Sequence, residues 1–218
     1  MRLRKVRDAA ERLARHPEIM VSVPVSHRGV WNALFPDRSR PIRLEIGIGK
    51  GRFLIDVAKR HPDVNFIGIE KFDSVILRAM EKLVEEPLAN VRLVHMDAAD
   101  LPLVFAPGEI DLLYLNFSDP WPKTYQAKRR LTSPLFLARY EAVMKPRAAV
   151  LYKTDNFAFF RYTMTTLVDT GWTIDRISLD LHAEAHEDNV ETEFESRFVQ
   201  LGQPIYHIAF HLGGGFPC

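Results

Sequence analysis

Glu45-Ile46-Gly47-Ile48-Gly49-Lys50-Gly51 is the stretch on which the fold turns. A short β-branched, apolar run precedes it and an amphipathic helical pattern at 52–60 follows it. The segment therefore reads as a strand end, a glycine turn and a helix start. Glycines at such a turn let the backbone bend sharply and bring helix-start amides close to a ligand. Working outward, the same alternation repeats. Strand-like runs fall at 42–47, 65–70, 91–95, 110–117, 148–154, 172–179 and 204–210. Helical patterns fall at 52–60, 73–85, 134–144 and 156–169, with a shorter one near 192–201. Strands that are apolar nearly throughout and separated by helices predict an α/β fold whose mostly parallel sheet is covered on both faces. Sheets of that kind bind ligands beyond the carboxyl ends of their strands.

The 218-residue length predicts one domain, 41–212, with a basic extension at 1–40 and a flexible tail at 213–218. Hydrophobic residues at 47% and charged residues at 26% exclude a disordered or fibrous chain. The single cysteine, Cys218, has no internal partner, which fits a reducing compartment. The start is basic without an apolar signal core, and the run at 110–117 is too short to span a bilayer. A cytoplasmic protein without membrane contact is expected. The net charge of +1 hides two poles. Residues 1–40 carry nine basic side chains against four acids, while 180–195 carry seven acids and no Lys or Arg. Alone, either cluster reads as a solvated face.

The strand ends carry the chemistry. A carboxylate at Glu70, nineteen residues after Gly51, is suited to both hydroxyls of a ribose. Two details favour S-adenosylmethionine over a nicotinamide dinucleotide. The glycines Gly47, Gly49 and Gly51 follow G-x-G-x-G rather than G-x-G-x-x-G spacing. Glu45, two residues before Gly47, favours a cofactor carrying an ammonium and a sulfonium and would repel a pyrophosphate. Asp97, just past the third strand, suits an adenine amino group.

The fourth strand opens into Ser118-Asp119-Pro120-Trp121-Pro122-Lys123. Two prolines around an aromatic stiffen the turn and hold the preceding carboxylate. Alone this is an ordinary Asp-Pro turn. The cations Lys123, Lys128, Arg129 and Arg130 follow at once, with Trp121 and Tyr125 among them. Cations interleaved with aromatics can hold phosphates and stack a base. Farther on, Thr192-x-x-Glu195 reads as a capping box. His182 and His186 are four apart but lack the H-E-x-x-H pattern and lie in a loop-like stretch, so no metal site is expected. Tyr140, Phe157, Phe159, Phe160 and Trp172 read as core.

LEIGIGKG at 44–51, FSDPWPK at 117–123, KRRL at 128–131, Lys153-Thr154-Asp155-Asn156 and Thr192-Glu193-Phe194-Glu195 together resemble the bacterial tRNA (guanine-46-N7)-methyltransferases. The opening MRLR and the closing LGQPIY fit as well, so the resemblance covers nearly the whole chain. It implies a three-layer, Rossmann-like class I methyltransferase fold, with a seven-stranded sheet and an antiparallel last strand. It implies methyl transfer from S-adenosylmethionine, leaving S-adenosylhomocysteine, to the variable-loop guanine of tRNA by a monomer or homodimer. Carried over, Glu45, Glu70, Asp97 and Asp119 are cofactor contacts beside Gly47, Gly49 and Gly51, with Asp119 also catalytic. Lys123, Asp155, Thr192, Glu193, Phe194 and Glu195 are substrate contacts. Thr124, Tyr125, Gln126, Ala127, Lys128 and Arg129 form the RNA-facing segment. One departure stands out: Tyr125-Gln126 occupies the place of the family's usual Arg-His pair.

Guanine N7 has an exposed lone pair and no proton, so its methylation needs positioning rather than a general base. Carboxylates fit the N1–H and exocyclic amine of guanine and stabilise the cationic product. Asp119, with Asp155 or Glu195 or both, is expected to read that edge. A small-molecule methyltransferase would share the glycine loop and Glu70 but have little use for the cation run. A dehydrogenase and an RNA-binding module without catalysis are competing functions.

Overall fold

The computed structural model describes residues 6–184 and 189–213. Arg2, Arg4 and Lys5 of the basic pole, His186, Glu187 and Asp188 of the acidic stretch, and 214–218 of the tail lie outside the described residues. In chain order the elements are α1 (Ala9–Ala14), β1 (Ile42–Ile46), α2 (Arg52–Arg60), β2 (Asn65–Glu70), α3 (Asp73–Glu85), β3 (Val91–His95), α4 (Leu101–Val104), β4 (Ile110–Asn116), α5 (Pro134–Glu141), β5 (Met144–Thr154), α6 (Phe157–Asp169), β6 (Trp172–Ser178), α7 (Glu193–Gln200) and β7 (Tyr206–Leu212).

The seven strands form one sheet in the order β3-β2-β1-β4-β5-β7-β6. β7 runs antiparallel to both β5 and β6, and the other pairings are parallel. β2 is buried at every position, as a central parallel strand must be. Alternation along β1 sorts the two layers. Ile42, Leu44 and Ile46 pack with Leu101, Phe136, Tyr140, Phe159 and Phe160 of α4 to α6. On the opposite face Phe53, Leu54, Ile76 and Met80 of α2 and α3 pack with Phe66 and Leu93. The chain leaves β1 toward β2 and β3, then returns to β4 on the other side. That reversal opens a crevice above β1 and β4.

The 6–40 segment is packed onto this body. Trp31 is fully buried, stacked on Phe105 at 4.8 Å, and donates its indole N–H to the Val104 carbonyl at 2.9 Å. Replacing it by Ala removes packing worth about 3–5 kcal/mol. Met20 bridges Leu93 at the edge of β3, and Arg12 pairs with Glu81 of α3.

Four local readings shift. The helix expected at 134–144 stops at Glu141, because Met144 already pairs with Ile110 as β5. The last strand begins at Tyr206 and runs on to Leu212. α4 has four residues, too few for a periodic signal. Phe157 opens α6 with half its surface exposed and rests on Phe160 and Tyr206, so it is not core.

Candidate active site

Five acids follow one another along the carboxyl ends of adjacent strands: Asp97, Glu70, Glu45, Asp119 and Asp155, after or within β3, β2, β1, β4 and β5. The first three adjoin the glycine turn. Gly51 has φ +77°, and a Cβ there would lie 2.6 Å from the Cβ of Ala79, so only glycine lets α2 start this close to α3. Gly47 and Gly49 also have positive φ, yet a Cβ at either would meet nothing within 4 Å. Their constraint is backbone conformation, with open space in front.

Glu70 is buried and stitches this loop together. Its Oε2 accepts the Gly49 N–H at 3.1 Å, and Oε1 accepts those of Lys71 and Phe72 at 2.9 and 3.1 Å. Burial raises its pKa against these donors. Asp97 accepts the Ala99 N–H at 2.9 Å and pairs with Lys71. Burial opposes ionisation of Asp97, but the Lys71 ammonium and the Ala99 amide prevail and hold it below its ordinary value.

Glu45 lies deeper, 2% exposed, with Oε1 accepting from Asn116 Nδ2 at 3.0 Å and Oε2 buried without a partner. Burial pushes its pKa up to about 8, despite Asn116 and nearby Lys153. An orphaned acceptor below an open glycine loop fits the ammonium end of an amino-acid-bearing cofactor.

Lys153, buried in β5, is a hub, although in the sequence it stood only within the Lys153-Thr154-Asp155-Asn156 motif without a role of its own. Its Nζ donates to the Val190 carbonyl at 3.0 Å and to Glu195 Oε2 at 3.1 Å, and also contacts Asn189 Oδ1. Burial lowers its pKa against the opposing pull of Glu195. Glu195 is 0% exposed and completes the capping box with Thr192. It also accepts from Asn189 at 2.8 Å and contacts His182 Nε2 at 2.9 Å. Burial would raise its pKa, but Lys153 and these donors hold it low. Its carboxylate is committed to the protein, which leaves it no edge for a base. A cation directly after the apolar run at 148–152, at the buried end of β5, was the available signal for this network.

α7 lies over the strand ends. Glu193 pairs with Lys50 of the glycine loop at 3.1 Å and with Lys82 at 3.4 Å. Phe194, half exposed, stacks on Phe117 at 6.5 Å, and Phe198 stacks on it at 6.0 Å. The Thr192–Glu195 segment therefore bridges the glycine loop and the turn after β4.

That turn is strained. Phe117 and Trp121 have φ of +50° and +40°, a region costly to bulky side chains. Between them Asp119 is exposed, and Asp155 on the neighbouring strand end is half-buried. Among the described residues neither carboxylate has a hydrogen bond or ion pair. Thr124–Arg129 forms a 3₁₀ turn. Thr124, Lys128 and Arg129 are exposed, Gln126 and Ala127 half-buried, and Tyr125 is 72% exposed with Lys123 beside its ring. Arg129 lies 4.9 Å from the Trp121 ring, whereas Arg130 turns inward.

A cavity of about 690 Å³ adjoins the acid row without containing it. It opens on the sheet face beside α2 and is lined by Arg43, Phe53, Tyr114, Leu151, Asn116 and Lys153, among others. Among the described residues no group of three or more His, Cys, Asp or Glu is placed to hold a metal, and no helix is long and apolar enough to cross a membrane.

A family profile described as "Putative methyltransferase" matches residues 39–208. A protein of Bacillus cytotoxicus named "tRNA (guanine-N(7)-)-methyltransferase" is 45% identical over 208 residues, 95% of each chain. One of the same name from Exiguobacterium is 46% identical, covering 95% of this chain and 96% of its own. Among solved structures, the 16S rRNA methyltransferase KamB superposes with a TM-score of 0.62 at 16% identity, over 80% of this chain and 88% of its own. The antibiotic-resistance methyltransferase Kmr gives 0.55 at 14%, over 81% and 88%. At such identities the likeness is one of fold: the α/β architecture of S-adenosylmethionine-dependent methyltransferases.

Proposed function

The chain belongs to the tRNA (guanine-N7)-methyltransferase family, and we propose that it transfers a methyl group from S-adenosylmethionine to N7 of guanine 46 in the variable loop of tRNA, in the cytoplasm. The observation that carries this reading is the pair of unpartnered carboxylates, Asp119 and Asp155, on adjacent strand ends beside exposed Lys123, Tyr125, Lys128 and Arg129.

S-adenosylmethionine supplies an electrophilic methyl group on a sulfonium. On the protein side, Glu70 would hold the two ribose hydroxyls, Asp97 the adenine amine and Glu45 the ammonium, with Gly47, Gly49 and Gly51 giving backbone access. Asp119 and Asp155 accept the N1–H and exocyclic amine of guanine, which orients N7 and disfavours adenine, whose N1 has no proton. Methylation makes the base cationic, so both carboxylates bind the transition state more tightly than the ground state. No side chain has to remove a proton from N7. Glu195 has its oxygens committed to Lys153, Asn189, His182 and Thr192, which makes Asp155 the second reader of the base. Lys123, Thr192, Glu193 and Phe194 surround the substrate, and Thr124–Arg129 meets the RNA. Tyr125 offers an exposed stacking ring to a base. Guanine 46 must leave its tertiary contacts to reach this cleft.

The test is transfer of labelled methyl to unmodified tRNA and, separately, to free guanosine. Label in tRNA alone supports the proposal. Label in the nucleoside at a comparable rate overturns it in favour of a small-molecule enzyme.

A further inference from the structure

The four cations after Asp119 do not share one environment. Lys123, Lys128 and Arg129 are exposed, but Arg130 is half-buried. Its Nε donates to the Pro120 carbonyl at 3.0 Å, and its Nη2 donates to that of Trp121 at 3.0 Å. The guanidinium carbon lies 4.1 Å from the ring centroid of Tyr162, on α6. α6 is the helix that follows Asp155, its first turn capped by Asn156. Arg130 thus joins the segments that carry both unpartnered carboxylates.

The turn needs such a hold. Positive φ at Phe117 and Trp121 is costly for such bulky side chains and persists only where surrounding contacts over-determine it. Phe117 is fixed from the cofactor side, by its N–H on the Lys153 carbonyl at 2.9 Å and by its stack on α7. Trp121, at the other end, has the Arg130 fork on its own carbonyl and on the one before it. A planar guanidinium can span two consecutive carbonyls while lying flat on a ring, which an ammonium cannot.

We propose that Arg130 is a positioning residue: its fork on the Pro120 and Trp121 carbonyls, backed by Tyr162, sets the strained turn and through it Asp119, rather than neutralising RNA phosphate. This rests on the reading of Asp119 as the catalytic carboxylate. The Lys-Arg-Arg run then divides, with Lys128 and Arg129 serving affinity and Arg130 serving rate.

The experiment compares Arg130→Ala, Arg130→Lys and Arg129→Ala in the full chain. Steady-state methylation of tRNA is measured together with the salt dependence of tRNA binding. Fluorine NMR with fluorotryptophan follows the three tryptophans, Trp31, Trp121 and Trp172. Arg130→Ala should lower kcat by about 100-fold, the scale of an ångström-sized misplacement. KM for tRNA and the salt slope should stay as in wild type. The Trp121 resonance should move while those of buried Trp31 and Trp172 stay. Arg130→Lys should not rescue kcat. Arg129→Ala should instead flatten the salt slope by about one charge. Full kcat in Arg130→Ala, or a flattened slope, overturns the proposal. Should Arg130→Ala lose the Trp31 and Trp172 signals, Arg130→Lys decides: low kcat with those signals intact supports the proposal, and full kcat overturns it. A wild-type chain that transfers no methyl to tRNA defeats the reading of Asp119 and this proposal with it. That outcome is distinct from an active wild type whose Arg130 variants keep full kcat.

Discussion

At the β1–β3 end of the acid row, Glu70 accepts three backbone N–H groups and Asp97 caps its own turn and pairs with Lys71. At the β4–β5 end, Asp119 and Asp155 have no hydrogen bond or ion pair among the described residues, and the intervening turn is strained. On the function proposed above, the two ends would answer two kinds of ligand. A small molecule of fixed shape is met by a loop whose amides and carboxylates already hold one another in place. An RNA base arrives on a large polyanion, and the groups that read it stay unsatisfied and partly solvated until it does. Between the two ends, Lys153 and Glu195 seat α7 against both the glycine loop and the turn.

The contrast breaks most sharply at Asp119. Asp119→Ala should lower kcat for tRNA methylation on the order of 10³-fold, by analogy with the loss of one transition-state electrostatic partner. S-adenosylmethionine affinity, read by calorimetry, should move only a few-fold. Equal losses in both would mean that the two ends are not separate.

Glu70→Ala should do the opposite. Cofactor affinity falls by about 2 kcal/mol, or about 30-fold, for hydrogen bonds to a charged acceptor. tRNA binding, read by filter retention, stays as it was. Weakened tRNA binding would erase the distinction.

A third test sharpens the deep end. The folded Glu45 carboxyl keeps its proton up to about pH 8, whereas the unfolded chain releases it near its ordinary 4.5. Between those values the folded state binds more protons, so ligand-free stability falls as pH rises. Glu45 contributes a slope of at most about 1.4 kcal/mol per pH unit. Glu70 is shifted in the same direction, and Lys153, lowered by burial, contributes a slope of the opposite sign. Glu45→Gln should flatten the decline between pH 6 and 8 in denaturant titrations while abolishing cofactor binding. An unchanged decline would show that the buried carboxyl is not its source.

The smallest effect is expected at Tyr125. Tyr125→Ala should weaken tRNA binding by about 1 kcal/mol through lost stacking, with the salt slope and kcat intact. No change in affinity would mean that the ring does not meet the RNA.

The glycine-turn end of the acid row was legible in the sequence because its parts are local: a strand, spaced glycines, and acids at successive strand ends. That the sheet is mostly parallel followed from alternation, and the antiparallel last strand from the family resemblance, whereas the order β3-β2-β1-β4-β5-β7-β6 needed the structure. The substrate end was legible as a set of residues but not as an arrangement. Arg130 stood in a run of like charges, and only its contacts with Pro120, Trp121 and Tyr162 separate it from Arg129. Lys153 meets Glu195, 42 positions away, through a fold that no window of sequence encloses. Thr192-x-x-Glu195 was readable as a capping box, but its burial against Lys153 was not. Phe157 was misread because one aromatic in a helical pattern looks like another until the neighbouring strands are in place.

The most direct measurement is labelled methyl transfer to two unmodified tRNAs that differ only at position 46, guanine in one and adenine in the other, followed by alkaline aniline scission. Label is expected on the guanine form alone, with cleavage at position 46. Label on both forms, or cleavage elsewhere in the chain, would contradict it.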